Sequence, residues 1–225
     1  MGFYRGPNIV TDALKFAMDA GSGRSYPGSG TTTTNIINGA SGSLINGVAY
    51  VTSNGGAFDF DGTDDFIKFD DDTALNSQTI TLESWVNLDT TTSQQAFVFE
   101  KGTVNTQYSC FFEGNGVFYF RTMSLSNQDT SFTSATYITA GVYSHIVCTV
   151  GAGTKTIYVD GVQVAQVTGI TGTMPTNTTG LFIGAYGPGV SYRLNGKIAV
   201  SRVYTKALTA AEVTQNYNAQ KSRFA

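Results

Sequence analysis

Four carboxylates crowd one short stretch of the chain, and this residue type is the one that binds hard cations. Asp59, Asp61, Asp64 and Asp65 lie around a single glycine, Gly62. Ca²⁺ is held by several oxygen ligands at once, so such a cluster is a candidate calcium site, with Asp59 and Asp61 as candidate ligands. Aspartate is also common in turns, where its side chain accepts hydrogen bonds from nearby backbone N–H groups. We expect the turn role here, and no bound metal.

The residues on both sides of this cluster alternate between apolar and polar types. The runs are 57–61 and 65–69, and the Asp61–Gly62 pair between them suits a turn that needs a positive φ. The pattern therefore predicts two strands joined as a hairpin, with the acidic side chains in the turn and on its solvent-facing side.

Groups that could perform acid–base or nucleophilic catalysis are few and scattered. His145 is the only histidine, and no nearby acid in the sequence is placed to orient it as in a catalytic triad. The glutamates stand far apart, and glycoside hydrolysis requires two carboxylates at a defined separation. We therefore expect no enzyme activity, and a structural role for His145; the glutamates concerned are Glu83, Glu100, Glu113 and Glu212.

Aromatic side chains beside polar groups are the pattern that binds sugars, because a ring can stack on a sugar face while polar neighbours hydrogen-bond its hydroxyls. Tyr119 and Arg121 fall on one face of a predicted strand, and Tyr186 and Tyr192 flank a Gly-Pro-Gly loop at 187–189. We name these four as candidate carbohydrate-binding residues. The alternative is that they are ordinary strand residues packing in the fold.

Composition and charge exclude several classes of protein. Charged residues are 13% of the chain and the net charge is −3, which does not favour binding to nucleic acid or to anionic lipid. No apolar run is long enough to span a membrane, and the first residues do not form a signal peptide. Cys110 and Cys148 show no metal-ligand spacing, and we expect buried free thiols, with a single disulfide as the alternative.

Apolar and polar residues alternate in short runs through most of the chain. This alternation predicts further strands at 79–88, 96–99, 108–112, 117–122, 143–150, 154–159, 162–167, 181–184 and 196–204, with hairpins around 113–116 and 160–161. Residues 22–43 are predicted to form a loop. One helix is predicted over 210–221, because Thr209 and Glu212 form a capping box. Many strands and one helix predict an all-β fold: an antiparallel two-sheet jelly-roll sandwich with a short C-terminal helix.

Six segments resemble, in order, the motifs of concanavalin A-like, laminin-G-type lectin/glucanase domains. They are GAFDFDGTDDFI at 56–67, TITLESWV at 79–86, FEKG at 99–102, IYVDG at 157–161, LFIG at 181–184 and GKIAVSRVYTKALT at 196–209. Many members of that family hold a structural calcium partly through an aspartate in the last of these motifs, where this chain has Ala199. The paired acids on one strand of the related laminarinases are also missing, so the resemblance implies neither structural calcium nor glucanase activity.

The two ends of the chain resemble a version of this domain found in structural proteins of tailed phages, including cyanophages. The segments are GPNIVTD at 6–12, DAG at 19–21, SYPGSGT at 25–31 and QNYNA at 215–219 with RF at 223–224. The resemblance implies a component of the virion surface, in the capsid, tail or fibre.

We therefore expect an N-terminal arm at 1–12 and one sandwich domain at 13–225. The predicted function is a non-catalytic virion structural or decoration protein, whose partners are other virion proteins and further copies of itself. The alternative is a carbohydrate-binding module that recognises glycans on a host surface or in the environment.

Overall fold

The computed structural model describes residues 7–90, 95–102, 107–187 and 192–225. These residues form two antiparallel sheets of eight strands each and one α-helix, α1 (Ala210–Phe224). The predicted all-β sandwich with one C-terminal helix is confirmed.

The first sheet carries the two longest strand pairings of the fold. In spatial order its strands are β14 (Val162–Thr168), β13 (Thr154–Val159), β12 (Tyr143–Gly151), β7 (Ile80–Leu88), β16 (Asn195–Tyr204), β5 (Ala57–Asp61) and β4 (Ala49–Val51). A further strand, β1 (Leu14–Asp19), pairs with the C-terminal half of β16, while β5 pairs with its N-terminal half. A bulge at Ala199, between Ile198 and Val200 in the pairing of β16 with β7, separates the two halves.

The second sheet is assembled from shorter strands. In spatial order they are β11 (Asp129–Thr133), β10 (Val117–Thr122), β9 (Tyr108–Phe112), β8 (Ala96–Lys101), β15 (Leu181–Ile183), β6 (Phe66–Phe69), β3 (Ser41–Ile45) and β2 (Thr32–Thr34). The predicted loop at 22–43 thus contains β2 and the start of β3. Their Ser, Thr and Gly residues gave no hydrophobic alternation; β3 is held in the sheet by pairing with β6, and β2 by pairing with β3.

The main core lies between the sheets, where alternate residues of both meet. Phe58 and Phe60 of β5 and Phe118 and Phe120 of β10 are almost completely buried there. Two predicted hairpins are confirmed, β9–β10 and β13–β14. The β13–β14 turn places Asp160 and Gly161 at φ 50° and 80°, as the twist of a two-residue hairpin requires.

The predicted hairpin of 57–61 with 65–69 is wrong. β5 pairs with β16 and β4 in the first sheet, whereas β6 pairs with β15 and β3 in the second. The turn itself is as predicted, with Gly62 at φ 74°. An alternating pattern shows that a strand has one buried face but does not identify its neighbour, so a tight turn at the sandwich edge can lead from one sheet to the other.

The helix covers the outer face of the first sheet. Its capping box is confirmed: the Thr209 hydroxyl accepts the Glu212 N–H at 3.3 Å, and the Glu212 carboxylate accepts the Thr209 N–H at 2.9 Å. Val213 belongs to one buried cluster with Tyr204 and Val147, and the ring of Phe224 stacks on Trp85 at 4.2 Å. The outer face of the second sheet has no helix over it among the described residues, and the predicted sugar-binding residues lie there.

Candidate functional site: the outer face of the second sheet

A stack of rings crosses the second sheet from strand to strand on its outer face. Phe97 of β8 and Phe111 of β9 are cross-strand partners, and their rings stack with centroids 4.5 Å apart and planes 9° apart. Tyr119 of β10 is the next partner, stacked on Phe111 at 5.4 Å. Because side chains alternate across a strand, these three residues point away from the core residues Cys110, Phe112, Phe118 and Phe120 that flank them in sequence.

The chain between β15 and β16 brings two more tyrosines to the same stack. Tyr186 lies 5.1 Å from Phe97 and Tyr192 lies 6.1 Å from it, and the two tyrosine rings meet edge to face at 5.9 Å. The backbone N–H of Phe97 donates to the Tyr192 carbonyl at 3.4 Å, which ties this connection to β8. Pro188 and Gly189 of the predicted loop lie outside the described residues.

Arg121 closes the stack at the other end. Its guanidinium lies 4.9 Å from the ring centroid of Phe111 and forms two hydrogen bonds to the carboxylate of Asp129 on β11, at 2.8 and 3.0 Å. The hydrogen bond with Asp129 is the main reason that the pKa of Arg121 is raised, and the negative charges of Glu113 and Glu100 act in the same direction. Arg121 is thus a fixed cation beside the rings.

The structure therefore brings together Tyr119, Arg121, Tyr186 and Tyr192, which are spread over 74 positions of the sequence. Tyr192 is 48% exposed and the other three are half-buried, whereas the two phenylalanines beneath them are buried. Sequence reasoning missed Phe97 and Phe111, which form the floor of this surface. The available signal was that an outward position of a strand is occupied by Phe in both β8 and β9.

A polar row runs beside the rings on the same face. Glu100, Ser109, Arg121 and Asp129 are successive cross-strand partners on β8, β9, β10 and β11. Ser109 is 1% exposed, and its hydroxyl has no hydrogen-bond partner within the described part of the chain. The outer face thus combines a stack of rings with hydroxyl, carboxylate and guanidinium groups. We call the surface formed by Phe97, Phe111, Tyr119, Arg121, Tyr186 and Tyr192 the ring platform.

The acidic cluster of the sequence is divided in the structure. Asp59 forms an ion pair with Lys197 at 3.3 Å. Asp61 has the expected turn role: its carboxylate accepts the N–H of Thr63 at 2.7 Å, which is the largest cause of its lowered pKa. Asp61, Asp64 and Asp65 are close enough for one oxygen from each to lie within 4.8 Å of the others. The two candidate metal ligands named from sequence, Asp59 and Asp61, therefore have different partners, although both line one cavity at this edge.

A guanidinium lies beside Ala199, the strand position at which the calcium-binding aspartate of the resembling domains is missing. The carbonyl of Ala199 accepts the N–H of Ala20. Next to Ala20, the carboxylate of Asp19 binds Arg223 at 2.8 Å, and the same guanidinium donates to the carbonyls of Asn54 and Gly56, both at 2.7 Å. Arg223 near the end of α1 thus supplies positive charge to a group of oxygens at this edge.

His145 belongs to a buried charged network under the helix. Its Nε2 lies 3.0 Å from the carboxylate of Glu83, which also accepts hydrogen bonds from Arg202 at 2.6 Å and from Asn216 at 2.7 Å. Burial alone would raise the pKa of Glu83, but the charge of Arg202 and these hydrogen bonds outweigh it and lower the pKa to about 2. His145 is completely buried and stacks on Trp85, so it has the structural role that we expected.

The two cysteines are buried free thiols, as expected from the sequence. Burial raises the pKa of Cys148, and a hydrogen bond with Cys110 adds to the effect. The pair joins β9 of the second sheet to β12 of the first across the core.

A model of the concanavalin A-like lectin/glucanases superfamily matches residues 61–214. The chain belongs to this superfamily. The resemblance that was inferred from the six motifs is thereby confirmed at the level of the superfamily. No curated protein matches the sequence.

Solved structures share the fold at low sequence identity. Trypanosoma rangeli sialidase in complex with sialic acid matches with a TM-score of 0.72 and 14% identity, over 97% of this chain and 35% of the sialidase. A mutant of that sialidase displaying trans-sialidase activity matches with a TM-score of 0.70 and 14% identity, over 95% and 34%. The binding domain of Paraclostridial Mosquitocidal Protein 1 matches with a TM-score of 0.70 and 14% identity, over 92% and 52%.

This chain therefore spans about a third of the length of the sialidases it matches. At this identity the likeness shows the fold alone. Separately, no helix among the described residues is both long and apolar enough to cross a lipid bilayer.

Proposed function

We propose that this protein is a non-catalytic carbohydrate-binding module and that the ring platform contacts the glycan. The observation that carries the proposal is the convergence of three tyrosines and one arginine around the buried Phe97–Phe111 stack. Sugar rings bind through their apolar faces to aromatic rings and through their hydroxyls to fixed polar groups. The ring platform offers both over a width of four strands, from β15 to β10.

The energy available from such a surface suits a module that binds an extended polysaccharide. Each stacked aromatic contact contributes about 0.5–1.5 kcal/mol beyond the area it buries. Three such contacts, from Tyr119, Tyr186 and Tyr192, would contribute about 1.5–4.5 kcal/mol, and about 4 kcal/mol of binding free energy corresponds to millimolar affinity for a single chain segment. The fixed platform needs little reorganisation, because Arg121 is held by Asp129 and Tyr192 is tied to β8 through its carbonyl.

The surroundings of two carboxylates, Asp129 and Glu83, support binding without catalysis. Asp129 is bound bidentately by Arg121, so both of its carboxylate oxygens are occupied by that guanidinium. Glu83 lies beneath α1 on the other side of the molecule, where Arg202 and His145 hold it. A retaining or inverting glycosidase needs two carboxyl groups facing one substrate, one of them with a raised pKa.

A glycan array with the purified protein tests this proposal. Tyr192→Ala and Tyr119→Ala should each weaken binding at least tenfold, while the melting temperature changes little because both side chains are partly exposed. Tyr137→Ala is the matched control: Tyr137 is 46% exposed, similar to Tyr192, but it packs on the core residue Phe132. A folded wild-type protein that binds no glycan on the array, or a Tyr137 variant that loses binding equally, would refute the proposal.

The predicted role in a virion remains a second proposal, and the edges of the sandwich favour it. The edge strand β14 is seven residues long and contains no charged side chain, and Val162 at its start is 64% exposed. Edge strands pair with other chains unless charge or proline blocks them. On this proposal the protein decorates a phage capsid, tail or fibre surface through contacts with other virion proteins or with copies of itself. Mass spectrometry of purified virions should find it in stoichiometric amounts, and its absence from particles would count against the role.

The predicted N-terminal arm at 1–12 is partly described. Within it, the N–H of Val10 donates to the Asn216 side chain of α1 at 2.7 Å, and Gln215 donates to the carbonyl of Asn8, also at 2.7 Å. We propose that these residues act with the sandwich as one unit rather than as a separate arm.

A further inference from the structure

The turn between β5 and β6 gathers three carboxylates that could share one ion. Asp61, Asp64 and Asp65 each offer an oxygen, and these oxygens lie within 4.8 Å of one another. Calcium–oxygen distances are about 2.3–2.6 Å, so a single ion can reach oxygens that lie up to about 5 Å apart. The spacing is therefore within the reach of one Ca²⁺ ion.

Asp65 is the residue that turn chemistry does not explain. It is 4% exposed, and its Oδ2 accepts the N–H of Asp61 at 3.2 Å. Its Oδ1 is buried and has no hydrogen-bond partner among the residues that the structure describes. A buried polar atom left without a partner costs about 1–3 kcal/mol, and more when it is charged. The Asp65 carboxylate lines a cavity of about 320 Å³ together with Asp61 and the amides Asn46 and Asn195.

The chain balances the negative charge around this cavity only in part: Lys197 pairs with Asp59 and Asp89, which also line the cavity, and the charge of Arg193 acts on Asp61 and Asp64. Within the described residues, none of Asp61, Asp64 and Asp65 forms an ion pair, because the nearby Lys197 binds Asp59 and Asp89 instead. A buried carboxylate beside two others favours either a proton or a cation.

We propose that Asp61, Asp64 and Asp65 bind a calcium ion, with the Asp65 Oδ1 as the buried ligand. The ligand set is made entirely of oxygen, which suits a hard cation and gives no advantage to zinc or copper. Carboxylates on an irregular turn accommodate the variable geometry of Ca²⁺ more easily than the near-octahedral geometry that Mg²⁺ demands. The bound ion would fix the point at which the chain crosses from the first sheet to the second.

Calorimetric titration of chelator-treated protein with CaCl₂ tests this directly. We expect one ion per chain and a melting temperature that rises with Ca²⁺ concentration, because a ligand that binds only the folded state stabilises it. Equal ionic strength from NaCl should give no such rise. Absence of binding at 10 mM, or an equal response to MgCl₂, would overturn the proposal.

Asp65→Asn separates binding from folding. The amide keeps the shape of the side chain but removes the buried charge, so we expect calcium affinity to fall at least tenfold. Without calcium, the variant should melt at or above the temperature of the wild type, which shows that it folds. Asp70→Asn is the control, since the Asp70 side chain is 94% exposed at the end of β6, and it should bind calcium as the wild type does. Unchanged affinity in the Asp65 variant would refute the site.

Discussion

Replacing Glu83 by glutamine tests the charged network that joins the helix to the first sheet. Gln keeps the size of the side chain but removes the charge that faces Arg202, whose side chain is only 4% exposed. His145 and Asn216 also lose a charged acceptor. Breaking one partner of a buried ion pair is costly, because the remaining charge stays buried without compensation.

The size of the effect follows from the pKa of Glu83. Folding lowers that pKa from 4.5 to about 2, which corresponds to about 3 kcal/mol at neutral pH because each pKa unit is worth about 1.4 kcal/mol. The folded pKa is the lower one, so this stabilisation is fully present above pH 4.5 and is lost as the pH falls towards 2. Glu83→Gln lacks the titrating group, so the difference between the two proteins should shrink over the same range.

Urea denaturation at several pH values between 7 and 3 measures both quantities. We expect the free energy of unfolding of Glu83→Gln to be about 3 kcal/mol lower than that of the wild type at pH 7, and the gap to narrow below pH 4.5. Asp70→Asn serves as the exposed control and should lie within about 0.5 kcal/mol of the wild type. A loss below about 1 kcal/mol at pH 7, or a gap that stays constant down to pH 3, would show that the network does not stabilise the fold as described.

Three further changes probe other parts of the structure. Arg223→Ala removes the partner of Asp19 and of two backbone carbonyls. We expect it to lower the unfolding free energy by about 1–2 kcal/mol in urea denaturation. An unchanged urea midpoint would show that these contacts do not stabilise the fold. Gly161→Ala forces a side chain into φ 80° and should cost about 1–2 kcal/mol by the same assay; a more stable variant would argue against the hairpin turn. Cys110 and Cys148 are buried, so a thiol reagent should label them only as fast as the protein unfolds, and rapid labelling of the native protein would contradict their burial.

Local signals in the sequence determined most of the secondary structure. The capping box of Thr209 and Glu212 marked the start of α1, and the Asp160–Gly161 pair marked a two-residue hairpin, because both depend on residues close together in the chain. Alternating hydrophobicity located the longer strands, since a strand with one buried face needs that period. It failed for β2 and β3, whose Thr, Ser and Gly residues carry little hydrophobic signal.

Pairing and the assembly of the site were decided by tertiary structure. The motif at 56–67 looked like a hairpin, yet β5 and β6 belong to different sheets. β5 pairs with β16 in the first sheet, and β6 pairs with β15 in the second. The same crossing buries Asp65 among other carboxylates, which spacing alone did not reveal.

The ring platform shows the same division between local and long-range information. The sequence identified Tyr119, Arg121, Tyr186 and Tyr192 by residue type. Only the register of β8, β9 and β10 stacks Phe97 and Phe111 beneath them and brings distant segments to one face. Residue types and their periodicity are properties of neighbouring positions in the chain. The surface is formed by strands from distant segments, and the pairing of those strands depends on how the whole core packs.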